Sequence, residues 1–497
     1  MPVRVAAALL LTTGLASAQD GPQSAIPWLT DTLTPPPSAS EPAPEPLVDE
    51  PIATLPLNDV RRDAAGLVTA RATGLPQDGI AGSDPARIRA LIQSQPVRAL
   101  PALQDLAMSV LLAELQPPDA AADGDPLFAA RIDALIRRGA VEQAQALLEH
   151  AGAAARPETF ARWFDAALLT GRDADACATL RAAPGLLDDL AARAFCLTRG
   201  GDWDGAVLIL DTAEAVGALD PVRGERLEMF MLPELFDGVA LPPLPNPPSP
   251  LLFRLADGVG EAPPTRDLPL AFAVADLQST RGWKTQLEAA ERLARAGALD
   301  ANRLLALYTA GRPSASGGVW DRAGAVQALD RAVVDGDAAA IGAALGPAVA
   351  AMEEVALLPV LADLYGEALI DTVLCEPDPG VDAWRLALLG PDGARAAATK
   401  DVPDAANLPH AAALLRGDPI PEGGGPLATT VAEGFATRTP MRPEDRRREV
   451  ERALEVALTL AGGAGSDPGD IAAGLSRLRS VGMDPLARRV AVQMLLL

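Results

Sequence analysis

Three segments between residues 126 and 219 align without gaps around a glycine, at Gly139, Gly171 and Gly201. Five positions before it stand Ala134, Ala166 and Cys196, and five after it Ala144, Ala176 and Ala206. Nine after come Leu148, Leu180 and Leu210, twelve after Ala151, Ala183 and Ala213, and eleven before Phe128, Phe160 and Leu190. Small residues are what two helices need where they cross at short distance. Glycine suits the turn ending the first helix because it takes positive φ without a Cβ clash. The large apolar positions fill the space between neighbouring hairpins. One such hairpin leaves its apolar face in water, so the pattern folds only if units stack. The expected fold class is all-α, a solenoid or superhelix of helical hairpins.

The rest of the chain agrees with helix. Aromatic residues are 3% of the sequence, and the 49% hydrophobic fraction is mostly Ala, Leu and Val. Such residues suit close-packed helices, and runs with strand-like alternation are few. The spacing predicts N-terminal helices over 57–118, with segments at 85–93 and 100–115 ended by Pro117-Pro118. The repeats follow over 126–219, and a Pro-rich connector over 220–265 centres on Pro242 to Pro250. A second helical region spans 266–420, with one hairpin at 286–296 and 301–308 and another at 320–334 and 338–352. Residues 421–440 read as a loop. C-terminal helices over 441–497 end in a hairpin turning at Gly482.

The N-terminus has a short basic start with Arg4, an apolar run from Val5 to Leu15, and Ala16-Ser17-Ala18. This is the pattern of a signal peptide, residues 1–18, cleaved after Ala18. The expected location is periplasmic or secreted. Residues 19–56 carry ten prolines from Pro22 to Pro56 and read as a disordered tether. No later run is apolar for the roughly 18 residues a membrane span requires. The formal charge of -24 disfavours nucleic acid and anionic lipid as partners.

On the turn glycines and small positions quoted above, residues 126–219 resemble the tetratricopeptide repeat. The match departs where the family has a middle aromatic, here Leu135, Ala167 and Leu197, and its closing proline is missing or shifted. The resemblance implies a peptide-binding concave face lined by the first helices. Carried over by position, that groove comprises Asp133, Ile136 and Arg137, then Asp165, Leu168 and Leu169, then Phe195, Thr198 and Arg199. The whole chain also resembles exported Ala-rich proteins of alphaproteobacteria, some of which carry an antifreeze label. The residues oppose that label, since Ala396-Ala-Ala-Thr399 stands alone and no regular threonine face exists.

Catalytic patterns are missing. Two histidines, His150 and His410, and three cysteines form no zinc-ligand spacing. There is no nucleophile elbow, and the glycine-rich loop from Gly311 to Gly318 lacks a phosphate-binding lysine and a preceding strand. No cofactor or metal is expected. Neighbouring helices of a stack bring Cys177 and Cys196 into conceivable reach, but the narrow Cα separation a disulfide demands favours free thiols in buried small positions. The resulting expectation is a non-enzymatic periplasmic scaffold or adaptor binding a protein or peptide of the cell envelope. Its rivals are a peptidoglycan-related enzyme or accessory using carboxylates, and a structural spacer without ligand.

Overall fold

The computed structural model describes residues 61–120, 126–239, 243–399, 402–436 and 440–497. The leader, its cleavage point after Ala18 and the tether to residue 56 lie outside the described residues. Residues 61–497 form one compact unit. It is all-α apart from a two-residue parallel pairing of β1 (Val68–Thr69) with β2 (Ala113–Glu114). No described helix is long and apolar enough to cross a membrane.

After a single helical turn at Ala70–Thr73 come α1 (Pro85–Ser94) and α2 (Pro101–Leu112), each with proline at its start, where the missing N–H costs nothing. Asp84 caps α1 by accepting from Arg87 N at 2.8 Å. Helix α2 stops at Leu112, well before Pro117, because the following residues leave to pair with β1. The approach is close enough that a Cβ on Gly66 would overlap the Ala113–Glu114 backbone.

The repeats form as the spacing predicts. They comprise α3 (Pro126–Arg137) with α4 (Val141–His150), α5 (Pro157–Thr170) with α6 (Asp173–Ala182), and α7 (Leu190–Arg199) with α8 (Trp203–Ala215). Gly139, Gly171 and Gly201 have φ of 80°, 78° and 82°, the left-handed conformation the turn requires. Ala144, Ala176 and Ala206 are fully buried, as are Ala134, Ala166 and Cys196. Each helix packs on the next, so α4 is covered by α5 and α6 by α7. Ala183 departs from the pattern: its helix ends at Ala182 and it is exposed.

The connector expected over 220–265 is partly helical. It holds α9 (Pro221–Met231) and α10 (Pro250–Gly258). Pro221 and Pro250 open helices rather than prevent them: Asp220 accepts from Arg223 N and Ser249 Oγ from Leu252 N, each at 3.2 Å. Hairpin stacking then resumes with α11 (Trp283–Arg295), α12 (Ala301–Thr309), α13 (Val319–Asp335), α14 (Ala338–Glu353), α15 (Leu358–Asp371) and α16 (Gly380–Leu389). Buried Glu291 ties three of these together. It accepts from Tyr308 Oη and from Arg322 Nε and Nη2, each at 2.8 Å.

Helices α17 (Gly393–Thr399) and α18 (Leu408–Arg416) precede the stretch expected to be a loop over 421–440. That expectation is corrected by α19 (Gly425–Ala436), which buries Ala428 and Val431. The glycines before it mark its start rather than an absence of structure. The last helices are α20 (Glu449–Thr459), α21 (Pro468–Ser480) and α22 (Asp484–Leu496). Helices α20 and α22 pack on α1 and α2, with α21 behind them against α19, and so join the last helices to the first. Gly82 N donates to Arg447 O at 2.8 Å, Gln95 Nε2 to Leu454 O at 3.0 Å, and Ala102 N to Gln493 Oε1 at 2.8 Å.

Candidate functional site

The face of the repeats that the tetratricopeptide resemblance assigns to a ligand is occupied by the chain itself. Leu168, Leu169, Phe195 and Thr198 are buried, which corrects their expected role as groove lining. The cause is α10 and the 3₁₀ turns of Leu270–Leu277, which fold back onto α5, while α9 lies across α7. Phe230 packs on Phe195 with ring centroids 5.5 Å apart. The polar groove candidates are spent on internal pairs: Asp133 with Arg162 at 2.6 Å, Arg199 with buried Asp173 at 2.7 Å, and Arg137 with the Ile92 carbonyl at 3.3 Å. Ile136 is half-buried against the core.

Asp165 on α5 keeps a perturbed carboxyl. It is pushed up to about 7, first by burial and then by the Asp189 carboxylate, with Arg223 opposing. A carboxyl whose native pKa is raised favours the protonated fold, so stability falls as pH rises from about 4 through 7. A full shift of this size corresponds to about 4 kcal/mol. Since Asp165 still reaches water, the expected gain from Asp165→Asn is about 2 kcal/mol at pH 8, vanishing at pH 4. Urea unfolding at both pH values tests this, and an equal gain at both would contradict it.

A second concavity is formed by parts of the chain remote in sequence. It encloses about 920 Å³ between the start of α2, the α11–α12 turn, the α14–α15 turn, Arg385 on α16 and the residues following α20. Three aspartates converge on it, namely Asp105, Asp300 and Asp363. Asp363 is pushed up to about 6 by burial first and the Asp105 carboxylate next, against the pull of Arg489. Asp105 is also raised by burial, but less freely because Arg489 pairs with it. Asp300 caps α12 by accepting from Asn302 N at 2.8 Å. All three are open to the water of the cleft, yet protein surrounds them on most sides, which weakens their solvation.

Arginines face the same space. Arg385 pairs with Glu353 at 2.7 Å, and Arg295 donates to the Val355 carbonyl at 3.3 Å. Arg295 is held below its usual value by burial, with Arg98 and Arg322 opposing the Glu291 charge. Arg98 is exposed. The remaining lining is mostly Ala, Leu, Pro and Gly, without serine, cysteine, histidine, lysine or an aromatic ring. The cleft therefore offers charge, backbone polar groups and apolar walls, and carboxylates as its sole acid-base groups.

None of these cleft residues stands out in the sequence, since they are a few among 66 acidic and 42 basic residues, joined only by the fold. The other singled-out residues lie elsewhere. His150 is exposed at the end of α4 and His410 is buried on α18, both ring nitrogens without a partner. The Gly311–Gly318 loop connects α12 to α13. Among the described residues no three His, Cys, Asp or Glu side chains are grouped to hold a metal ion. The expected free thiols are corrected by a disulfide between Cys177 and Cys196, with Cα atoms 4.8 Å apart, which fastens α6 to α7. Cys375 is exposed and free.

Compared with protein-family models, curated proteins and solved structures, the chain shows no significant match.

Proposed function

We propose that the protein is a non-catalytic, extracytoplasmic binding scaffold that receives a peptide or protein segment in the cleft between its hairpins. The observation that carries this reading is the 920 Å³ cleft itself. Its apolar walls and opposed charges suit a short segment presenting apolar side chains and a cation toward Asp105, Asp300 and Asp363. Pockets of this size bind by enclosing apolar surface while a few polar groups fix orientation. The Cys177–Cys196 disulfide supports the compartment, because such bonds persist where the environment is oxidising. The helical-hairpin stack supports a scaffold, with the binding surface moved from the occupied repeat face to the cleft.

A photo-crosslinking residue placed at Asn302, in the cleft, tests the proposal in intact cells. The expected result is a discrete adduct identified by mass spectrometry as a peptide segment and lost when Asp363→Asn is combined with the probe. The same probe at Val334, on the outside of α13 and 79% exposed, should give none. Equal labelling at both positions, or none at either, overturns the reading.

The Asp363 carboxyl, pushed up to about 6 with the Arg489-paired Asp105 among the causes, favours one rival. Two carboxyls set at different pKa values are the groups a glycan hydrolase uses as acid and base. The cleft lacks the aromatic surfaces on which sugars stack. Release of soluble fragments from peptidoglycan by the protein, abolished in Asp363→Asn, would establish that rival over the scaffold.

A further inference from the structure

In the repeat array every second helix is covered by the first helix of the next hairpin, except the last. Helix α9 crosses α7 instead and barely touches α8. The outer side of α8 is thereby left bare, with Trp203 47% exposed, Leu208 67% exposed, and Val207 exposed beside them. Other large apolar side chains are exposed too, among them Val216, Leu235 and Val334, but here three lie within two turns of one helix and form a patch of the kind that marks an interaction surface.

Charge decides what fits there. Asp211 and Glu214 of α8 and Glu225 and Glu228 of α9 lie along the same flank, and none of the four forms an ion pair among the described residues. The nearby arginines are turned away to other carboxylates: Arg199 to Asp173 at 2.7 Å, Arg223 to Asp189 at 2.5 Å and Arg226 to Glu261 at 2.7 Å. Burial, together with the charges of Glu214, Glu225 and Asp211, raises the Glu228 carboxyl. A second copy of this chain would bring two such flanks together and add repulsion. A cationic partner would relieve it.

We infer that the bare face of α8 and the acidic flank shared with α9 dock a partner helix whose apolar stripe is bordered by lysine or arginine. The partner helix takes the position the first helix of a further hairpin would hold, its apolar stripe on Trp203, Val207 and Leu208 and its cations on the four carboxylates. Apolar burial supplies the affinity, and the charges supply on-rate and choice of partner. The surface is separate from the cleft, so the two sites can be occupied independently.

The test uses the full chain and two labelled synthetic helical peptides, one of leucine and lysine and one of leucine and glutamate. Fluorescence anisotropy should show binding of the lysine peptide alone, weakening as salt is raised. Leu208→Asp should lower that affinity at least tenfold, and the pair Glu225→Lys with Glu228→Lys should do likewise. Asp335→Lys, a charge reversal on α13 outside both the cleft and this face, should leave it unchanged. Equal binding of both peptides overturns the inference, as does a Leu208→Asp protein that binds like the parent. Sedimentation showing a dimer of the parent that Leu208→Asp dissociates also overturns it, by assigning the face to a second copy.

Discussion

Replacing Arg131 by methionine should destabilise the protein by about 3–5 kcal/mol, the cost of removing one member of a buried charged network. Arg131 is buried on α3 and spends its guanidinium on backbone carbonyls. Nε and Nη2 donate to Leu111 O at 2.9 and 2.8 Å, Nη2 also to Ala113 O at 3.0 Å, and Nη1 to Asp63 O at 3.2 Å and Ala65 O at 2.6 Å. Leu111 and Ala113 stand where α2 gives way to β2; Asp63 lies in, and Ala65 caps, the 3₁₀ turn that precedes β1. Burial pulls the guanidinium down to about 10, with the Asp63 carboxylate opposing, so it is still charged at neutral pH. Methionine of similar length fills the space but removes the hydrogen bonds to four carbonyls and the positive charge facing Asp63. Arg131→Lys should recover little, since one ammonium cannot span carbonyls on two sides. A shift in the urea midpoint corresponding to under about 1 kcal/mol would show that water replaces the guanidinium at small cost.

Opening the Cys177–Cys196 bond should cost about 3 kcal/mol, the loop-closure value for a ring of nearly twenty residues. The two cysteines are 19 positions apart. Cys177→Ala with Cys196→Ala should therefore melt well below the parent under oxidising conditions and match it in reductant. Both side chains sit in buried small positions, so alanine leaves little void and the difference reports the cross-link. On denatured, unreduced protein a thiol titration should count one group, Cys375; three would mean the bond does not form. The narrow Cα window argued for free thiols in the sequence, but small positions are where two helix backbones come nearest. That nearness brings the Cα atoms to 4.8 Å, within the range a disulfide spans.

Local periodicity made most of the helical framework legible. The turn glycines, the alanines beside them and the hairpins at α11–α12, α13–α14 and α21–α22 needed only neighbours in sequence, and the structure places them within a few residues of expectation. Proline misled at α9 and α10, where it reads as a breaker until the capping Asp220 and Ser249 before it are noticed. Glycine misled at α19 in the same manner. The groove failed for a different reason. Leu168 and Phe195 do line the inner side of the repeats, but what covers them comes from residues 221–277, and no local pattern announces that return. The cleft was illegible altogether: Asp105 and Asp363 meet only because α2 and α15 are brought together by the whole fold.

The contacts of α20 and α22 with α1 and α2 set a limit on how such a chain can change. An open row of hairpins tolerates gain or loss of a unit, since each touches only its neighbours. Here the last helices are tied back to the first by Gln493 on the Ala102 amide and Gln95 on the Leu454 carbonyl, so a unit cannot be added or lost without disturbing them. Unfolding should therefore engage the array as a whole instead of fraying from either edge.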